Sequence, residues 1–172
     1  MNDILKLIEE RRSVKAYTPD MPAREDIDAV IKAGLEAASG RNKQSPIIVA
    51  VTDKKVRDDL SQANAAVMGA SGDPFYGAPV VLVVLAKKEV NTAIYDGSLC
   101  LGNMMLAAHS LGLGSCWVHR AREVFESEEW RKWLSSLGVE GEYEGIGNLI
   151  LGYPKGDLPA FKERNAGRVF YA

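Results

Sequence analysis

The sequence predicts one domain, residues 1–172, of interleaved helices and strands with its sheet in the interior. Three observations predict it. A chain of 172 residues that is 47% apolar has the size and composition of a single hydrophobic core. Two runs, "SPIIVAVT" (Ser45–Thr52) and "APVVLVVLA" (Ala78–Ala86), are continuously apolar and β-branched, as strands covered on both faces are. Around them apolar residues recur every three to four positions, so helices and strands interleave without a strict βαβ alternation.

The elements follow in chain order. Ile4, Leu7 and Ile8 share one face of a short helix, which either Asn2 or Asp3 can cap and which delivers the chain to Arg11. After Pro19 and Pro22, the repeat Ile27, Val30, Ile31, Leu35 predicts a second helix that ends in small residues before Gly40. Asp53–Met68 reads as a surface helix between the two strands, and "GASGDPFYGAP" after it as an irregular loop of the kind that covers a site. Tyr95–Leu113 is apolar on nearly every side with small residues interleaved, which predicts a central helix buried all round, with Gly112 and Gly114 ending it. "GSCWVHR" (Gly114–Arg120) reads as a short strand and "SEEWRKWLSSLG" as a helix with Trp130, Trp133 and Leu134 facing inward. "GIGNLILGYP" is a further clear strand, while the terminal "RVFYA" reads either as one more strand or as a frayed end. Met104, Met105 and Trp130 are core residues by pattern.

Charge and cysteine usage narrow the function. Lys plus Arg number 21 and Asp plus Glu 23, a formal charge of −2, so no broad positive field exists to collect nucleic acid. No apolar run approaches the length of a membrane span. The first twenty residues carry Asp3, Glu9 and Glu10 and no apolar h-region, which argues against secretion. Cys100 and Cys116 lie in apolar surroundings without CxxC or zinc-ligand spacing and read as buried thiols of a reducing compartment, so the cytoplasm is the expected location. The GxGxxG and P-loop fingerprints are both missing.

Against that acidic background, "RRSVKAY" (Arg11–Tyr17) stands out. Arg11, Arg12, Lys15 and Ser13 supply many donors and no carboxylate, which suits an oxyanion with several acceptors, a phosphate above all. The alternative is a solvated helix end where cations meet the negative pole of the helix dipole. Much later, "LPAFKERN" places Lys162 and Arg164 two apart, on one face if the segment is extended. Two distant basic clusters converging on one dianion would make a strong site.

In order along the chain, "RRSVKAY", "EAASGRNKQSPIIVAV", "NMMLAAHSLGLGSCWVHRA" and "LGYPKGDLPAFKER" resemble the motifs of the nitroreductase family of FMN-dependent oxidoreductases, over nearly the whole sequence. The resemblance implies an α+β fold with a mostly antiparallel sheet flanked by helices. It also implies an intertwined homodimer with FMN at the subunit interface. By the same resemblance, Arg11, Arg12 and Ser13 hold the FMN phosphate and ribityl chain, and Lys15 reaches the ribityl or the C2 carbonyl edge. Lys162 and Arg164 close on the same phosphate, and Ser39, Asn42 and Gln44 form the loop that the other subunit lends to the pyrimidine side. Trp117, His119 and Arg120 belong to the segment whose main chain runs past the flavin, with no side-chain role carried over for the last two. Ala38 stands where many members have proline, and "QSPI" puts Ile47 where many have an aromatic.

The implied activity is hydride transfer from NADH or NADPH, through flavin, to nitroaromatics or quinones in a ping-pong cycle. The alternatives are another flavin reaction on the same fold, such as reductive dehalogenation or flavin fragmentation, or FMN storage or sensing. Such redox chemistry belongs to the cofactor, so the sequence assigns no catalytic acid or base and no metal ligand. His119 has no identified carboxylate partner and reads more simply as a packed or surface residue than as a general acid; His109 reads as an interior or interface histidine. Cys116 reads as a small apolar filler rather than a redox thiol.

Overall fold

Both β-branched runs form strands, and they lie side by side at one end of a four-stranded sheet. The structure, a computed structural model, describes residues 2–172. In chain order the elements are α1 (Asp3–Glu10), α2 (Arg24–Leu35), β1 (Pro46–Val51), α3 (Lys54–Met68), β2 (Val80–Lys87), α4 (Ala93–Ser110), β3 (Gly114–Val118), α5 (Ala121–Phe125), α6 (Glu128–Ser136) and β4 (Tyr143–Gly152). The sheet order is β1-β2-β4-β3, and every neighbouring pair is antiparallel. The α+β expectation is met.

Although antiparallel, the sheet is covered on both faces along β2 and β4, which is why those strands lack polar alternation; the edge strand β1, expected to be covered likewise, is only partly buried, with Val51 alone fully covered. On one face Leu82, Val84, Leu149 and Leu151 pack with Ile27 and Val30 of α2 and Leu101 and Met104 of α4. On the other, Val81, Val83, Leu85 and Ile150 pack with Leu60 of α3, Phe125 of α5, and Trp130 and Leu134 of α6. Trp133 joins this second core from its edge, its ring 5.2 Å from that of Trp130.

Two local features aim the later strands. At Val84/Leu85 the β2–β4 register slips past Ile146, which turns towards α4 at Gly97. Next to it Gly145 admits α5: a Cβ there would stand 2.3 Å from the Ala121 carbonyl. That contact seats the β3–α5 turn on β4. The sequence pattern did not predict α5, because five residues are too few to show a period.

Three expectations need correction. α4 is not buried all round within one chain: Ala93, Gly97, Cys100, Leu101, Met104 and Ala108 face the core, while Ile94, Tyr95 and Leu99 are each more than half exposed. Periodicity reports apolar surface but not what covers it. Gly112 does end α4, taking φ 74° while the Leu113 N–H bonds the Ala108 carbonyl, but Gly114 belongs to β3 and packs against Val14. Within one chain "RVFYA" adds no strand to the sheet, and Phe170 and Tyr171 are almost fully exposed. No helix of the described residues is long and apolar enough to cross a membrane.

Candidate functional site

The Asn2 side chain accepts the Ile4 N–H, which starts α1, and the helix runs out at Arg11, whose N–H bonds the Leu7 carbonyl at 3.0 Å while its backbone turns extended. From there the chain lies along β3. Ser13 bridges Ser115 in parallel, the Val14 N–H donates to the Ser115 carbonyl at 3.0 Å, and Ala16 accepts from the Lys155 N–H at 2.9 Å. Val14 and Tyr17 turn inward, the Tyr17 hydroxyl donating to the Val14 carbonyl at 2.8 Å. Burial, with Cys116 beside it, pushes the Tyr17 phenol far above its usual range, so it remains a neutral donor.

Because Lys155 is stitched to Ala16, the chain beyond β4 returns over the end of α1. Arg11, Arg12, Ser13 and Lys15 then line one cleft of about 380 Å³ together with Phe161, Lys162 and Arg164. Five cations share this space, and among the described residues no carboxylate lines it. Arg12 has two tasks. Its Nη1 donates to the carbonyls of Glu9 (2.6 Å) and Arg11 (2.9 Å) at the helix end, and its guanidinium lies 5.1 Å from the Phe161 ring centroid. The helix-end reading therefore describes part of Arg12, whereas Arg11 differs: its Nη1 is buried and has no hydrogen-bond partner among the described residues. A buried guanidinium N–H without an acceptor is costly. The donor set that lines the cleft, five cations and the Ser13 hydroxyl without a carboxylate, fits a phosphate-bearing cofactor.

The other predicted site residues lie elsewhere in the chain. Ser39, Asn42 and Gln44 sit around a 3₁₀ turn (Gly40–Asn42) that does not line the basic cleft. Ser39 Oγ accepts the Gln44 N–H at 3.0 Å, and Gln44 Nε2 donates to Asn42 Oδ1 at 2.9 Å. Arg41, Asn42 and Gln44 all take positive φ, near 50°. Asp96, buried on α4, fixes this turn by accepting the Gly40 N–H and the Thr92 hydroxyl, each at 2.9 Å. Sequence reasoning missed Asp96, whose only signal was a lone acid in the first turn of an apolar helix.

Trp117 lies in β3, the strand that Ser13 bridges, and His119 and Arg120 follow its end. Trp117 is exposed, and Asn64 of α3 donates to the His119 carbonyl at 2.9 Å. Arg120 takes φ 79° as α5 begins, and its Nη1 bonds Glu123 Oε1 at 2.8 Å. The His119 and Arg120 side chains are both exposed, and His119 lies near enough to Glu123 to help Arg120 hold that carboxyl below its usual value. His109 is half-buried on α4, as expected of an interior or interface residue. Cys116 is buried beside Ser13, Lys15 and Arg11; burial pushes its thiol pKa up, against the pull of those neighbours, so it remains an inert filler. Cys100 is likewise pushed up to about 11. Among the described residues no group of three His, Cys, Asp or Glu side chains could hold a metal ion.

The "GASGDPFYGAP" loop does approach the site. Asp73 holds it, accepting from Arg57 Nη2 and Ser61 Oγ at 2.6 Å each, from the Gly77 N–H at 2.7 Å and from the Phe75 N–H at 2.9 Å. Burial opposes ionisation of Asp73, but these four donors outweigh it and hold the carboxyl below its usual value. The folded protein therefore binds fewer protons here than the unfolded chain. This stabilisation is complete above the ordinary carboxylate value of about 4 and is lost as pH falls through the depressed folded value. Urea midpoints are expected to fall more steeply between about pH 5 and pH 3 in the wild type than in Asp73→Asn; equal slopes would assign the acid sensitivity to other groups.

Fold and cleft together define a class, an α+β domain with an open four-stranded antiparallel sheet and a cationic recess made by both ends of the chain. The sequence profile described as Nitroreductase family matches residues 8–153. An Archaeoglobus fulgidus protein, named provisionally as an NADH dehydrogenase/NAD(P)H nitroreductase, is 31% identical over 161 residues, 90% of this chain and 87% of its own. The Bacillus subtilis FMN reductase using NAD(P)H is 28% identical over 191 residues, covering 95% of this chain and 70% of its own. The crystal structure of a Bacteroides fragilis nitroreductase with bound FMN superimposes with a TM-score of 0.89 at 30% identity, covering 100% of both chains. The chain belongs to the nitroreductase family.

Proposed function

We propose that this chain is an FMN-dependent oxidoreductase that takes a hydride from NADH or NADPH and passes it, in a ping-pong cycle, to small aromatic acceptors such as nitroaromatics and quinones. The observation that carries the reading is the basic cleft, where five cations from both ends of the chain meet and, among the described residues, no carboxylate lines the space. The relatives' names and the FMN in the Bacteroides fragilis structure support the cofactor and the donor.

On this reading Arg11, Arg12, Ser13, Lys162 and Arg164 hold the FMN phosphate with charge-assisted hydrogen bonds. Lys15 lies at the ribityl or C2 carbonyl edge and favours the negative charge that develops on reduction. The main chain of Trp117–Arg120 passes the ring, and a second copy contributes Ser39, Asn42 and Gln44. Bound FMN supplies the redox chemistry; the protein supplies position, electrostatics and exclusion of water.

Exposed apolar surface supports the homodimer. Ile4, Leu5 and Ile8 of α1, Ile94, Tyr95 and Leu99 of α4, and the terminal Val169–Tyr171 are all exposed in one chain, more apolar surface than scattered single residues leave. Ile4→Glu with Ile8→Glu is expected to shift sedimentation from dimer to monomer and to lower FMN occupancy with it. An unchanged dimer would move the interface off α1. Two free, buried cysteines suit the reducing cytoplasm proposed for it.

The function is tested with the purified protein loaded with FMN under anaerobic conditions. Expected are a yellow sample, bleaching by NADH or NADPH, recovery of colour with a nitroarene or quinone, and parallel double-reciprocal lines. A colourless protein that ignores added FMN would overturn the proposal.

A further inference from the structure

Tyr76 stands at the tip of the Asp73-anchored loop with φ 53°, a conformation that non-glycine residues rarely adopt, and Gly77 follows at φ 77°. Such a backbone persists only where its surroundings over-determine it. Here they do. Besides the four donors that converge on the Asp73 carboxylate, the Tyr76 N–H bonds the Asp73 carbonyl at 3.1 Å and the Ala78 N–H the Phe75 carbonyl at 2.9 Å. Phe75 next to it is fully buried under the Arg57 guanidinium. The loop therefore fixes the backbone that carries the exposed aromatic ring.

That ring meets Lys15, whose Nζ lies 5.6 Å from the Tyr76 ring centroid. Lys15 has no ion-pair partner among the described residues and shares its cleft with Arg11, Arg12, Lys162 and Arg164. Like charges would drive its flexible stem out into solvent, and the electron-rich ring face offers an attraction that opposes this.

We propose that Tyr76 is a positioning residue. Its ring holds the Lys15 ammonium beside the flavin edge and thereby sets how readily bound FMN is reduced. The proposal rests on the reading that Lys15 faces that edge. A localised ammonium stabilises the charge gained on reduction, whereas a wandering one is screened by water.

Tyr76→Asn removes the ring yet keeps a residue that tolerates a left-handed backbone, and Tyr76→Phe keeps the ring. The first readout uses flavin-free protein with ¹³C-dimethylated lysines, the Lys15 signal being identified with Lys15→Arg. An upfield ring-current shift is expected in the wild type and Tyr76→Phe and is expected to vanish in Tyr76→Asn. The second is the midpoint potential of the FMN-loaded proteins. Tyr76→Asn is expected to shift the oxidised-to-reduced ratio about tenfold towards oxidised, ~30 mV more negative for two electrons, with Tyr76→Phe close to wild type. A Lys15 signal indifferent to the ring, or equal potentials in all three proteins, would overturn the proposal. A wild type that takes up no FMN would instead refute the function, and the methyl shift would still report the contact.

Discussion

Arg11→Ala is expected to weaken FMN binding by about 1.5–3 kcal/mol, the range for hydrogen bonds to charged groups. That corresponds to roughly ten- to a hundredfold in Kd, read by flavin fluorescence on titration of the apoprotein. The effect is large because Arg11 lines the cleft and its Nη1 has no hydrogen-bond partner among the described residues, so the substitution removes a cation from the site without breaking such a bond in the apoprotein. Arg12→Ala is expected to cost FMN affinity too, with a second loss in stability, since Arg12 also bonds the carbonyls at the end of α1. The two substitutions are separable by thermal melts of the flavin-free proteins. Arg164→Ala is expected to lower affinity with no change in the apoprotein melt, because its side chain is exposed on a segment without regular structure. Unchanged affinity in all three variants would remove the phosphate from this cleft.

Asp73→Ala is expected to destabilise the fold by about 3 kcal/mol, the lower end of the range for breaking a buried ion pair. Its partner Arg57 is only 9% exposed in its side chain, whereas Asp73 is about a third exposed, so water recovers part of the loss. Arg57 keeps the Ala78 carbonyl at 2.9 Å and Asp58 at 3.1 Å, but Ser61 and the Phe75 and Gly77 N–H groups lose their common acceptor. Chemical denaturation checks the magnitude. A loss below about 0.5 kcal/mol would mean that Asp73 acts as an ordinary surface carboxylate. The same substitution frees the turn that carries Tyr76, so its effect on flavin potential should follow that of Tyr76→Asn once stability is matched.

Much of the architecture was legible because the signals are local. The β-branched runs became β1 and β2, the apolar repeats became α2, α3 and α6, and the wholly apolar stretch became α4. The motif order identified the family, and the two cationic clusters could be read from residue type alone. α5 was too short to show a period, and the exposed face of α4 looked the same in sequence as a face buried by its own chain. The Asp73 and Asp96 anchors were not legible either, since a buried acid and a solvated one are written with the same letter.

The sequence by itself determined which segments are helix or strand, which surfaces are apolar, and that an acidic protein keeps a cationic group at each end. Only the tertiary structure decided that those ends meet, because the meeting depends on the extended stretch after α1 pairing with β3 and with the chain leaving β4, contacts between residues more than a hundred positions apart. It also distinguished two adjacent arginines, turning Arg12 back onto the helix end and leaving Arg11 Nη1 buried without a partner among the described residues. Residue type sets a side chain's charge and reach, but its direction follows from the backbone that carries it and from the neighbours that folding brings to it.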